Sequence, residues 1–133
     1  MKLKVTDKFV GCTFTQEGTH CWPNAPASVK YLRCAHRHIF HVEVYVKVTG
    51  SDREVEFITL KHEAKEAFAL LGHPDTSPLI DFRSQSCEML AEALGIYLAE
   101  KYNYDVSSVC VSEDDENGAI VNFENLLKSG LRL

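Results

Sequence analysis

The sequence predicts an α+β domain in which a four-stranded antiparallel sheet carries two helices on one face, in the order strand, strand, helix, helix, strand, strand. Apolar and polar residues alternate from His38 to Thr49, apolar residues recur at helical spacing in two later segments, and Asn117-Gly118 separates two short apolar runs. The chain has 133 residues and 45% apolar content, which is enough for one domain, spanning 1–133, with its own core.

The first two strands are predicted from residue alternation. The first runs from Val5 to Phe14, and its pattern continues to His20. Along the second strand, the side chains predicted to face the core are those of His38, Phe40, Val42, Val44, Val46 and Val48. Because side chains two residues apart point the same way, His36 shares this face, whereas His41 lies on the opposite one.

The helices and the last two strands follow from spacing and end signals. Gly72 ends the first helix, and Ser86 is a candidate N-cap for a second helix that runs to Tyr102. The apolar positions of the first helix are Leu60, Ala64, Ala67, Phe68 and Leu71. The residues predicted to share one face of the third strand are Val109, Val111 and Glu113. A hairpin turn over 114–118, in which Asn117-Gly118 is the strong signal, leads into the fourth strand at Ala119.

Three histidines are predicted to converge at one end of this sheet. His36 and His38 share a face of the second strand, and His20 lies at the far end of the first. Three imidazoles with an open fourth position form a reactive zinc site. A short His-x-His motif also occurs by chance, and a histidine on an apolar face is often a hydrogen-bonded core residue. The spacing alone therefore leaves a structural role open.

Charge and composition exclude several classes of function. The net charge of −5 argues against nucleic-acid binding, which requires clustered Lys and Arg. The N-terminus has no apolar stretch of signal-peptide length, and no later segment is long and apolar enough to cross a membrane. Five cysteines, without a Cys-x-x-Cys pair, favour reduced thiols over disulfides. We therefore expect a cytoplasmic protein that binds neither nucleic acid nor membranes.

Several motifs, in this order, resemble those of the 6-pyruvoyltetrahydropterin synthase and 6-carboxytetrahydropterin synthase family, which has the tunnelling fold. The run from Phe14 to His20 resembles the family's first strand, which ends in a zinc-binding histidine. His36-Arg37-His38 resembles its His-Gly-His pair, and Gly72-His73 falls where the family has Asp-His. The segment from Ser86 to Ala91 resembles the start of its second helix, and Val111-Ser112-Glu113 resembles the strand whose glutamate anchors the pterin ring. The variant with Arg37 also resembles homologues carried by phages.

The resemblance implies a set of roles. Zinc would be held by His20, His36 and His38, and the substrate would be 7,8-dihydroneopterin triphosphate or a related pterin or purine-like molecule. Glu113 and Ser86 would bind the substrate. The family's sites lie between subunits, so a homo-oligomer, either a trimer or a hexamer, is expected. The pathway stays open between folate-like, biopterin-like and 7-deazaguanine synthesis.

The departures from the family's pattern affect the expected catalytic residues. Leu32 stands where the family has its catalytic cysteine, and Cys34 is the candidate replacement, as a general base or thiolate near the metal or as an inert thiol. His73 matches the family's catalytic proton carrier, but Gly72 replaces the aspartate that would orient it. Asp75 is a candidate substitute for that aspartate. His73 can equally cap the preceding helix.

Three functions therefore remain open. The first is a zinc-dependent lyase of the pterin synthase type, with His73 and Cys34 as catalytic residues. The second keeps the fold, the zinc and the ring-binding carboxylate, and is a non-catalytic pterin- or nucleotide-binding protein. The third is a protein-binding domain whose histidines are structural.

Overall fold

The computed structural model describes residues 1–127, and residues 128–133 of the predicted domain lie outside this range. Its elements, in chain order, are β1 (Lys8–His20), a 3₁₀ helix (Ala27–Arg33), β2 (His36–Val48), α1 (Phe57–Leu70), β3 (His73–Pro74), β4 (Ile80–Asp81), α2 (Cys87–Tyr102), β5 (Val106–Glu113) and β6 (Asn117–Asn122). Within the described range, no helix is long and apolar enough to cross a membrane.

The strands form one six-stranded mixed sheet in the order β3-β4-β1-β2-β5-β6. The four long strands pair antiparallel, as predicted, but β4 pairs with β1 in parallel. The α+β class is confirmed, whereas the four-stranded antiparallel sheet and the predicted element order are not. The two additional strands have two residues each and lie in the connection after α1. A strand of two residues is too short to produce an alternating pattern, so the sequence predicted only turns there.

The core lies between one face of the sheet and both helices, as the alternation predicts. Every second residue of β2 from Phe40 to Val46 is fully buried. The buried helical residues that complete this cluster are Leu60, Ala64, Ala67, Phe68, Cys87, Leu90, Ala91, Leu94 and Leu98. Burying each large apolar side chain contributes about 1.5–3 kcal/mol to the stability of the fold. Because a shift in strand pairing would expose these side chains, their burial also fixes the register of the strands and the positions of the strand ends.

The start of α2 is fixed by Ser86, which is the predicted N-cap. Its Oγ accepts a hydrogen bond from the backbone N–H of Met89 at 3.2 Å. This bond satisfies one of the donors that every helix leaves free in its first turn. The cap places the first turn of α2 beside the ends of β1 and β5.

The hairpin between β5 and β6 turns at the first three residues of the predicted segment 114–118. Asp114 and Asp115 adopt left-handed backbone angles (φ 53° and 57°), and Glu116 completes the turn. Asn117 and Gly118, which carry the strongest signal in the predicted turn, instead pair with the last two residues of β5. Aspartate tolerates the left-handed region better than most residues, so two successive aspartates can replace Asn-Gly. As a result, the carboxylate of Asp114 lies against β2.

Candidate metal centre

The structure brings His20, His36 and His38 together at one end of the sheet. One ring nitrogen from each lies within 4.8 Å of those of the other two. His20 is the last residue of β1 and pairs directly with His36, the first residue of β2. Side chains two residues apart on a strand share a face, so His38 lies beside both of them. Their ring centroids are 4.6, 4.9 and 5.2 Å apart.

The cluster rests on the apolar core. The fully buried Phe40 ring contacts His20 and His38 edge-on, with centroid separations of 5.3 and 5.9 Å. His20 itself is only 7% exposed. This burial lowers the pKa of His20, although the Gln85 carbonyl and the Glu113 carboxylate act in the opposite direction. His20 is therefore neutral near pH 7, and the neutral imidazole is the form that binds metal ions.

Each of the three histidines has its Nδ1 hydrogen-bonded to an oxygen that can only accept. The partners are the backbone oxygen of Gln85 for His20 (2.9 Å), the backbone oxygen of Cys34 for His36 (2.9 Å) and the carboxylate of Asp114 for His38 (2.7 Å). Each Nδ1 must therefore carry the hydrogen, and in a neutral ring Nε2 is left with a free lone pair. Hydrogen bonds of this kind orient the histidine ligands of metal sites in general.

Asp114 is the site residue that the sequence analysis missed. Besides receiving the His38 bond, its carboxylate accepts a hydrogen bond from the Ile39 backbone N–H at 2.8 Å, while its own N–H donates to the Ile39 carbonyl at 2.8 Å. The Ile39 bond, followed by the His38 bond, lowers the pKa of Asp114. In the sequence, Asp114 is one of several acidic residues in a turn. The available signal was its position immediately after Glu113, at the end of β5.

Glu113 reaches the same cluster from β5. Its Oε1 lies 3.0 Å from the Nε2 of His20, and its Oε2 lies 3.4 Å from the Nε2 of His38. The thiol of Cys87 donates to Oε1 at 3.7 Å. Burial, together with the nearby Glu113 carboxylate, raises the pKa of Cys87 to about 12, so this thiol is protonated and able to donate.

These residues fit a metal ion by the chemistry of their donors. The Nε2 atom of His38 is buried and has no hydrogen-bond partner within the described structure, which is costly for a polar atom. The Nε2 atoms of His20 and His38 face the Glu113 carboxylate, and when both rings are neutral all three groups are acceptors. A cation placed among them removes both problems, and neutral imidazole with carboxylate is a ligand set typical of zinc.

An open cleft of about 340 Å³ adjoins the cluster. Its lining includes His20, His36, Glu113, Ser86, Trp22, Leu32 and Met89. Ser86, a predicted substrate-binding residue, thus lies at the cleft, with its hydroxyl oxygen used as the cap of α2. Leu32 occupies the position expected for a catalytic cysteine and presents an apolar wall instead of a thiol. The cleft can admit a small molecule as far as the histidines.

Cys34 lies outside the strand that carries His36 and His38. The side chain is exposed, and the residue lies in the bend between the 3₁₀ helix and β2, not on the strand. The expectation from two-residue spacing is therefore wrong, because the alternation of β2 begins at His36. Its contribution to the cluster is the backbone oxygen that holds the His36 ring.

His73 is not brought to the cluster within one chain. It pairs with Asp81, which in turn pairs with Thr19 of β1. Paired residues share a face of the sheet, so His73 lies with Thr19 on the face opposite His20. The side chain of His73 is exposed at the sheet edge.

The expected orienting partners of His73 are also not beside it. A Cβ atom on Gly72 would lie 2.5 Å from the Ile80 side chain and 2.8 Å from that of Phe82, so close packing excludes an aspartate at this position. Asp75, the candidate substitute, accepts a hydrogen bond from the Thr76 backbone N–H at 2.7 Å. A second histidine-centred site therefore does not form on this edge of the described chain.

Comparison with known proteins shows the fold. No protein-family model matches the chain, and neither does any curated protein. Among solved structures, an uncharacterized protein from Wolinella succinogenes superposes with a TM-score of 0.67 at 16% identity, covering 90% of this chain and 100% of that one. The 6-pyruvoyl tetrahydropterin synthase of Caenorhabditis elegans superposes with a TM-score of 0.59 at 13% identity, covering 92% and 100%. At these identities, the chain shares the fold of that synthase.

Proposed function

We propose that this chain is a zinc-dependent protein of the 6-pyruvoyl- and 6-carboxytetrahydropterin synthase type, acting on 7,8-dihydroneopterin triphosphate or a related pterin or purine-like molecule. His20, His36 and His38 are the proposed zinc ligands. One observation carries this proposal: the three rings form one cluster, and all three Nδ1 atoms are used in hydrogen bonds to acceptors, which leaves the Nε2 atom of each neutral ring free to bind a metal ion. The fold shared with a pterin synthase supports the substrate class.

The proposed chemistry divides between the metal and the chain. Bound zinc would supply Lewis acidity, which acidifies a coordinated hydroxyl group and stabilises negative charge on it. The chain supplies the cleft: Trp22 and Met89 offer apolar contact to a flat ring, and Ser86 and Glu113 are the proposed polar contacts. The buried Phe40 ring forms the inner side of the site, against His20 and His38.

A second candidate is a zinc-containing protein that binds a pterin or nucleotide without converting it. The positions of the two expected catalytic residues favour this candidate. Cys34 is exposed outside β2, and His73 lies on the opposite face of the sheet. Within one chain, neither side chain is placed to relay a proton at the histidine cluster.

Catalysis by His73 would require a second copy of the chain. The resemblance stated above implies sites between the subunits of a trimer or hexamer, and His73 is exposed on an edge strand, where a neighbouring copy can approach. We therefore include a homo-oligomer in the proposal. Sedimentation equilibrium tests it directly: a trimer or hexamer supports it, and a monomer at 100 μM excludes it.

The proposed function is tested with the zinc-loaded protein and 7,8-dihydroneopterin triphosphate. Binding is measured by equilibrium dialysis and turnover by the release of triphosphate. Turnover that is lost in His73→Ala but retained in His41→Ala, a histidine on the outer face of β2, supports the synthase. Binding without turnover supports the second candidate. Neither binding nor turnover, with this compound and with a panel of reduced pterins and purines, excludes both.

A further inference from the structure

The position of the Glu113 carboxylate points to a role that differs from ring binding. Its two oxygens lie 3.0 and 3.4 Å from the Nε2 atoms of His20 and His38. In a neutral ring each of those two nitrogens presents a lone pair, because the Nδ1 atom donates its hydrogen to another oxygen. Three acceptors in contact repel one another unless a cation lies between them.

Two of the separations are close to those between neighbouring ligand atoms in a zinc site. Zinc bonds to histidine nitrogen and carboxylate oxygen are about 2.0–2.2 Å long, and the usual arrangement is tetrahedral. In a tetrahedron with such bonds, two ligand atoms lie roughly 3.3–3.6 Å apart. The Glu113 oxygens lie at or slightly inside this separation from two of the three histidine nitrogens.

We propose that Glu113 is the fourth ligand of the metal centre, so that the resting site has three imidazoles and one carboxylate. This inference rests on the proposed zinc site. The hydrogen bond from the Cys87 thiol to Oε1 supports it, since ligating carboxylates are themselves usually held by a neighbouring donor. The consequence is a closed site: an incoming hydroxyl group can reach the metal only when Glu113 leaves it.

The test compares metal binding by the full-length wild-type chain, Glu113→Gln and Glu88→Gln. Glu88 lines the same cleft, is exposed and carries the same charge, so it controls for the general loss of negative charge near the site. Zinc affinity is measured by competition with a chromophoric chelator. Cobalt(II) is then substituted for zinc, and its visible absorption spectrum reports the ligands and the coordination number. Circular dichroism of each metal-free variant shows whether it is folded.

The expected result is a zinc affinity at least tenfold lower in Glu113→Gln than in Glu88→Gln, with a changed cobalt spectrum only in Glu113→Gln. If both variants lose affinity equally and both keep the wild-type cobalt spectrum, Glu113 acts only through its charge and the inference is wrong. If Glu113→Gln binds zinc as tightly as wild type, it is also wrong. Wild-type protein that takes up no metal overturns the zinc site itself, which is a separate failure. If Glu113→Gln does not fold, Glu113→Asp replaces it, because the shorter carboxylate must also change the cobalt spectrum.

Discussion

The sequence predicts functional residues at two edges of the sheet: the edge where the central strands β1 and β2 terminate, and the outer edge formed by β3. The two differ in the length and register of the strands that position these residues. The histidine cluster lies where two 13-residue strands end together, in a register that extends over their whole length. His73 lies on a two-residue strand at the outer edge, held by two paired positions. At the first edge, three side chains that the sequence predicted to converge do so. At the second, the predicted catalytic residue lies on the other face of the sheet.

The difference shows which sequence patterns determine side-chain positions. Along β1 and β2, alternation fixes the face of each residue, and burial of Phe40 and the valines below it fixes the register. A one-residue slip would move every apolar side chain to solvent, so the histidines are placed as firmly as the core. Near His73 the path of the backbone is set by local turns and by close packing around Gly72. Neither produces a periodic pattern in the sequence, so the face on which His73 lies could not be predicted.

The largest expected effect is the loss of zinc binding when only the histidine cluster is changed. The triple substitution of His20, His36 and His38 to Ala removes every proposed nitrogen ligand, so zinc binding should fall below detection by inductively coupled plasma mass spectrometry. His73→Ala, at the other edge, should keep the wild-type metal content. Equal losses in the two proteins would contradict the distinction between the edges.

The next prediction concerns the stability of the core beneath the histidine cluster. Phe40→Ala leaves a cavity where the ring contacted His20, His38, Phe68 and Phe82, and should lower the free energy of unfolding by about 3–5 kcal/mol. Phe9→Ala, at a half-exposed ring on β1, should cost less than about 1 kcal/mol. Urea denaturation of the metal-free proteins measures both. Similar values for the two variants would mean that the Phe40 ring is not packed as described.

A smaller effect is expected from the residue that orients His38. Both carboxylate oxygens of Asp114 face N–H groups, so the amide of Asp114→Asn must turn its NH₂ toward one of those donors. The zinc affinity should fall by about 10–100-fold, the range typical when a metal-binding histidine loses the hydrogen-bond partner of its other ring nitrogen. Asp115→Asn removes the same charge at the next left-handed position (φ 57°) and is the matched control. Equal affinities for the two variants would show that Asp114 does not orient the ligand.

The smallest effect concerns the thiols and needs no substitution. Burial raises the pKa of Cys12 to about 11 and that of Cys87 to about 12, so at pH 8 only about 10⁻³ to 10⁻⁴ of each is the reactive thiolate. Cys34 is exposed. Iodoacetamide at pH 8, followed by peptide mass spectrometry, should label Cys34 well before Cys12 and Cys87, and unfolding should remove the difference. Raising the pH toward 10 increases the thiolate fraction of both buried thiols and should increase their labelling. Rapid labelling of Cys87 in the folded protein at pH 8 would contradict its burial.

Long patterned segments made the four long strands, both helices and the three converging histidines predictable from the sequence. Asp114 was not predictable, because its role depends on a turn that forms three residues before the strongest local turn signal, Asn117-Gly118. The contact of Glu113 with the histidines was missed for a related reason. The strand phase placed its side chain on the inner face, but only the pairing of β5 with β2 shows how close it comes to His38. Cys34 was misplaced because the alternation of β2 was extended one step too far.

The proposed three-histidine zinc site can be tested by long-range ¹H–¹⁵N correlation spectra of the histidine rings, recorded at pH 7.5 before and after one equivalent of zinc. We expect His20, His36 and His38 to carry their hydrogen on Nδ1, zinc to shift the Nε2 resonance of all three, and a second equivalent to change nothing further. Unchanged Nε2 resonances, or zinc-induced shifts at His41, His62 or His73 instead, would contradict it.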